Sequence, residues 1–112
     1  MPTNDKPVLM YSTWPSAEAA EHAGIVLVEQ HLAACVNILP GMTSIYYWQG
    51  QRQRDTEVVM IIKTRAGIVD PVVAEIRGLH PYDNPAVVVL EVAGGSPDFL
   101  KWIVDQSSGD HG

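Results

Sequence analysis

The chain alternates short apolar runs with longer stretches of helical spacing. Val8 to Trp14 is an apolar run that stops at Pro15 and reads as a first strand. Ser16 then offers an N-cap hydroxyl, and Glu18 places an acid in the next turn, where the helix dipole favours it. Ala20, Ala23, Leu27 and Val28 recur at helical spacing while Glu18, Glu21 and Glu29 stay polar, which predicts a helix from 16 to about 32. The segment AACVNILPGMTSIYYWQGQ is rich in β-branched and aromatic residues, so it reads as one long strand bent or bulged at Pro40-Gly41 and closed by a polar turn. In TEVVMIIKT the unbroken run Val58 to Ile62 predicts a central strand buried on both faces.

Asp70-Pro71 reads as an N-cap and first-turn pair opening a second helix, with Val72, Val73, Ile76 and Leu79 as its stripe and an end near Gly78-Leu79-His80. AVVVLEVA is a further strand, and Ser96-Pro97-Asp98 starts a short helix through Phe99, Leu100, Ile103 and Val104. The order β-α-β-β-α-β plus a terminal helix is an α+β, ferredoxin-like split βαβ arrangement in a single domain over 1–112, with fraying expected at about 1–6 and 107–112. Two helices cover only one face of such a sheet. The other face would carry more exposed apolar surface than a monomer tolerates, so self-association is expected, with Tyr46, Tyr47 and Trp48 on the overhanging second strand as anchors.

Charge and composition narrow the function. Thirteen Asp and Glu against seven Lys and Arg give a net charge of −6, and no basic patch interleaves with aromatics, which argues against nucleic acid as a partner. No stretch approaches the roughly 20 apolar residues of a membrane span, and the first ten residues lack a signal-peptide pattern, so the expected location is cytoplasmic. One cysteine, Cys35, excludes an intrachain disulfide and any Cys-x-x-Cys site. Phosphate loops, nucleophile elbows and H-E-x-x-H motifs are missing.

The richest local chemistry is HPYDNP, where Pro81 and Pro85 hold His80, Tyr82 and Asp83 in a stiff hinge. LAACVNILPGMTSIYYWQG, EVVMIIKT, HPYDNP before a strand and a closing FLKWI, in that order, resemble the CutA family of divalent-cation tolerance proteins from Val8 to Val104. The resemblance implies a ferredoxin-like subunit in a tight homotrimer similar to PII signalling proteins, without a settled catalytic activity, and a role in tolerance of copper and other divalent cations. It also implies copper ligands on the first strand and just before the Pro-Tyr pair. Ser12 and Leu79 occupy two of those positions, so only His80 carries over, with Asp83 as an oxygen donor beside it.

Each candidate keeps two readings. Cys35 is either an inert core thiol or a soft copper ligand. His80 is either a helix C-cap or a metal ligand. Trp48 and Tyr82 are packing anchors or the walls of a ligand pocket. Lys63, emerging at the end of the central strand, is a plain surface cation or the partner of Glu57 or an anionic ligand. His22, His31 and His111 have no metal spacing and are set aside. The functions that follow are a non-enzymatic trimer binding copper or another divalent cation weakly through His80, Asp83 and Cys35, a PII-like sensor holding a small anionic ligand with Lys63 between subunits, or a small enzyme with His80 and Asp83 as acid and base.

Overall fold

The computed structural model describes residues 5–109. The elements run β1 (Pro7–Trp14), α1 (Ala17–Glu29), β2 (Cys35–Trp48), β3 (Gln51–Arg65), a 3-10 turn (Ala66–Ile68), α2 (Val69–Leu79), β4 (Val87–Glu91) and α3 (Pro97–Gln106). All strand pairs are antiparallel and the sheet order is β2-β3-β1-β4, the expected ferredoxin-like split βαβ.

Strand alternation divides the sheet into two faces. Met10 and Trp14 of β1, with Val58, Met60 and Ile62 of β3, point toward α1 and α2, where Ala20, Ala23, Leu27, Val72 and Ile76 close the core. The opposite face carries Leu9, Tyr11, Val59, Ile61, Leu39, Val88 and Leu90. It is not wholly free of helices. The Lys63 ammonium lies 5.3 Å from the centre of the Phe99 ring, and Arg65 Nε donates to the Ser107 carbonyl at 2.5 Å, so α3 packs over one end of this face. The remainder is open, with Leu39, Val88 and Leu90 each about half exposed at 52%, 51% and 49%.

Three boundaries differ from the sequence reading. Helix α1 stops at Glu29, three residues early, because His31 adopts a left-handed φ of 56°. Leu32 N–H then donates to the Leu27 carbonyl and His31 N–H to that of Val28, the paired bonds of a Schellman cap. Asp70 lies in the first turn of α2 and is not its cap; Ile68 holds that position without a side-chain bond, because the 3-10 turn starts the coil earlier. The polar stretch before Thr56 is the first third of β3, which pairs with the overhang of β2 as far as Trp48↔Gln51. Gln49 and Gly50, both at positive φ, make the two-residue turn between them.

Asp5 and the residues from Ser107 to Gly109, which fall within the segments where fraying was expected, are held by hydrogen bonds. Arg65 Nη1 meets Asp5 at 2.5 Å, Asp5 also accepts from Gly67 N–H at 3.0 Å, and Arg65 reaches the carbonyls of Ser107 and Ser108. Gly109 N–H donates to the His31 carbonyl, and Ser107 is fully buried. The rest of both expected frayed segments, with His111, lies outside the described residues.

Two predictions follow from this packing. A Cβ on Gly24 would come within 2.8 Å of Val36 Cγ2, a stiff β-branched neighbour. Gly24→Ala should therefore lower stability by about 1 kcal/mol net, overpacking outweighing the better helix propensity of alanine. A denaturant midpoint that rises would show that β2 yields. At Asp5, burial raises the carboxyl pKa, but the hydrogen bonds from Arg65 and Gly67 and the Arg65 charge outweigh it and leave the pKa lowered. A carboxylate with a depressed folded pKa stabilises above its unfolded value and loses that contribution as pH falls through the folded one. Asp5→Asn should thus cost about 2 kcal/mol at neutral pH. The gap from the parent should close in acid below the ordinary carboxylate range, as read by urea unfolding at several pH values; a gap independent of pH would refute the ion pair's role.

Candidate functional site: an acidic aromatic cleft beside a clamped histidine

Pro81 denies α2 a further turn, since the residue before a proline is pushed to extended backbone. His80 obeys, with φ −83° and ψ 137°, and its backbone N–H still closes the helix on the Ile76 carbonyl at 2.8 Å. Its side chain turns inward and is buried. Nε2 lies 2.7 Å from the Thr13 carbonyl, and Nδ1 receives the Tyr82 N–H at 3.1 Å. A carbonyl only accepts and an amide only donates, so the ring is neutral with its proton on Nε2. The imidazole also packs between two tilted rings, Trp14 at 4.2 Å and 33° and Tyr82 at 4.8 Å and 50°.

This geometry bears on both readings of His80. The helix end is capped by the backbone of His80 and not by an imidazolium. A metal ion would need the Nδ1 lone pair, which already holds the Tyr82 amide. The side chain is a clamp that fixes the loop after α2 to the end of β1. Ser12, the neighbouring position where the family resemblance implies a ligand, is also committed: its buried Oγ accepts from the Trp14 indole at 2.7 Å.

In front of the clamp lies a cleft of about 560 Å³, walled by Tyr46, Trp48 and Glu57 of the β2–β3 ribbon and by Tyr82, Asp83 and Asn84 of the loop, with Thr13 at the end of β1. A bulge brings the ribbon residues to it. Leu39 pairs with Val59 and Met42 with Glu57, so Pro40 and Gly41 together oppose Val58 alone. Gly41 takes φ 84°, which suits glycine. One extra residue reverses the alternation beyond it. Tyr46 and Trp48 consequently share the face of Glu57 and Asp55.

The cleft is electronegative. The Tyr46 hydroxyl donates to Asp55, and that bond, with the carboxylate charge, pushes its pKa up to about 12. Burial, then the charges of Glu57 and Asp55, push the Tyr82 phenol up as well. Among the described residues no Lys, Arg or His lines the cleft.

Of the six candidates, Trp48, Tyr82 and Asp83 meet here and His80 stands directly behind Tyr82. Lys63 and Cys35 do not join them. They are paired across β3 and β2, six residues and about 20 Å of strand from Glu57. Lys63 therefore meets Phe99 where Glu57 or an anion was expected. Cys35 is partly exposed, its sulfur 4.0 Å from Asn37 Nδ2. Among the described residues no three His, Cys, Asp or Glu side chains are grouped to hold a metal ion. Two carboxylates in the cleft are the nearest approach. Sequence reasoning took Glu57 only as a partner for Lys63, and the signal that finds its true setting is the parity change at Pro40-Gly41.

Comparison with known proteins agrees with this architecture. A family model described as CutA1 divalent ion tolerance protein matches residues 8–106. The chain is 41% identical to the chloroplastic protein CutA of Arabidopsis thaliana over 96 residues, 86% of this chain and 53% of that one. It therefore spans about half the length of that relative. With the divalent-cation tolerance protein CutA of Thermus thermophilus it shares 43% over 91 residues, 81% of this chain and 88% of the other. The crystal structure of CutA1 from Oryza sativa superposes with a TM-score of 0.88 at 36% identity, covering 91% of this chain and 94% of that one. With its model match, its relatives and its fold in agreement, this chain belongs to the CutA1 divalent ion tolerance family.

Proposed function

We propose that the protein serves divalent-cation tolerance as a non-enzymatic homotrimer that gathers cations weakly at the acidic cleft. The observation that carries this reading is the lining of the cleft, which has Glu57 and Asp83 and, among the described residues, no cationic side chain. Carboxylate oxygens suit hard and borderline divalent ions, and two of them hold an ion weakly. Asp83 keeps its role as an oxygen donor. His80 serves by clamping the loop that carries Asp83, and Cys35 takes no part. The anion-sensor reading loses support because Lys63 is remote from the cleft. The acid-base reading loses support because a general base needs a free ring nitrogen, and both of His80's face backbone partners.

Trimeric assembly rests on the open sheet face. Leu39, Val88 and Leu90 there, and Ile45 and Tyr47 on the ribbon, are exposed apolar groups in the isolated chain. Covering them removes a patch larger than monomers tolerate.

Light scattering should report three chains per particle, and Leu90→Glu should shift the population toward smaller species; a parent that stays monomeric at micromolar concentration would overturn the assembly. Calorimetric titration with Mn²⁺ and Cu²⁺ should show Glu57→Gln and Asp83→Asn each weakening binding about thirtyfold, the worth of one unit charge against a divalent ion at about 4 Å in water. Cys35→Ser should bind as the parent does. The opposite pattern, with Cys35 essential and the carboxylates dispensable, would move the site elsewhere.

A further inference from the structure

The carboxylates of the cleft account for only part of its wall. Three of its residues, Tyr46, Trp48 and Tyr82, are aromatic, and they stay 42%, 61% and 43% exposed. Aromatic faces do not ligate a metal ion, and a divalent ion has no use for them. An organic ammonium uses both kinds of wall, since its charge is attracted to the π-faces and to nearby carboxylates while its carbon groups fill apolar space. The geometry points to a second ligand class at this cleft: a methylated, quaternary-type ammonium group held by the rings of Tyr46, Trp48 and Tyr82 with Glu57 and Asp83 supplying the counter-charge.

Several features favour a cation with apolar substituents. The cleft, at about 560 Å³, has room for a small organic cation. The Tyr46 hydroxyl donates to the Asp55 carboxylate, which increases the electron density of its ring and strengthens its attraction for a cation. The Tyr82 ring is braced from behind by the His80 imidazole, itself in tilted contact with Trp14. His80 Nδ1 also fixes the Tyr82 backbone. One wall is therefore preorganised, which lowers the entropy lost on binding. The negative field that holds both phenols protonated favours the cation further.

This inference shares the cleft and its carboxylates with the divalent-cation reading but rests on the aromatic walls, which that reading does not use, so the two fail separately. The test uses the full ¹⁵N-labelled chain in its native assembly, with choline as probe and 3,3-dimethylbutan-1-ol, its uncharged carbon counterpart, as control. Choline should shift the Trp48 indole resonance, identified by its loss in Trp48→Leu, and should bind at least about fivefold tighter than the alcohol. Trp48→Leu and Glu57→Gln should each weaken choline about fivefold or more, with light scattering run on the same samples to show that assembly is retained. Trp48→Leu should leave Mn²⁺ affinity within about twofold, since an indole face is no metal ligand. Equal affinity for choline and the alcohol, absence of any shift at high choline concentration, or choline binding indifferent to Trp48→Leu would each overturn the ammonium site. Loss of the carboxylate effect on Mn²⁺ with choline binding intact would overturn the metal reading alone.

Discussion

The structure depends on β3. Its fifteen residues pair with β2 along nearly their whole length and with β1 over the C-terminal half, so one strand carries both the sheet centre and the projecting ribbon. Val58 to Ile62 lie where both partners are present, which explains why that segment is apolar without alternation. Beyond Glu57 toward the N-terminus β3 has β2 alone as partner, and its residues turn polar. The composition of β3 thus records how many neighbours each part of it has.

A single bulge converts this strand pairing into a site. Without Pro40-Gly41 as one residue too many, Tyr46 and Trp48 would face away from Glu57, and the ribbon would carry its aromatic and acidic groups on opposite sides. The bulge also bends the ribbon at a glycine whose positive φ another residue would resist. A device in the backbone, and not a cluster of adjacent residues, assembles the cleft.

His80 shows how a polar residue in a stiff hinge serves architecture first. Its two ring nitrogens satisfy one carbonyl and one amide, its ring packs against two tilted aromatic rings, and the loop between α2 and β4 is thereby held against β1. Pro81 and Pro85 restrict the loop's backbone, and the clamp selects one position for it. Arg65 plays the same part at the far end of the sheet, where one guanidinium joins the residues before β1 to those after α3.

Local chemistry in the sequence determined the elements: the Ser16 cap, the Pro97 helix start, the Pro40-Gly41 bend and the two-faced strand at Val58 to Ile62 are all legible because each acts on its immediate neighbours. Element order then implied the split βαβ fold, since few topologies suit it. The left-handed turn at His31 escaped that reading because a non-glycine residue gives little local sign of positive φ. The tied tail escaped it because Ser107 and Ser108 are held by an arginine more than forty residues away. The site divided the same way. That HPYDNP would be rigid could be read from its prolines, but whether His80 faced a ligand or a carbonyl, and whether Lys63 and Cys35 stood beside it or at the other end of the sheet, depended on strand register. Register is a pairing between distant segments, so tertiary structure alone decided which polar groups were already satisfied and which remained to meet a ligand.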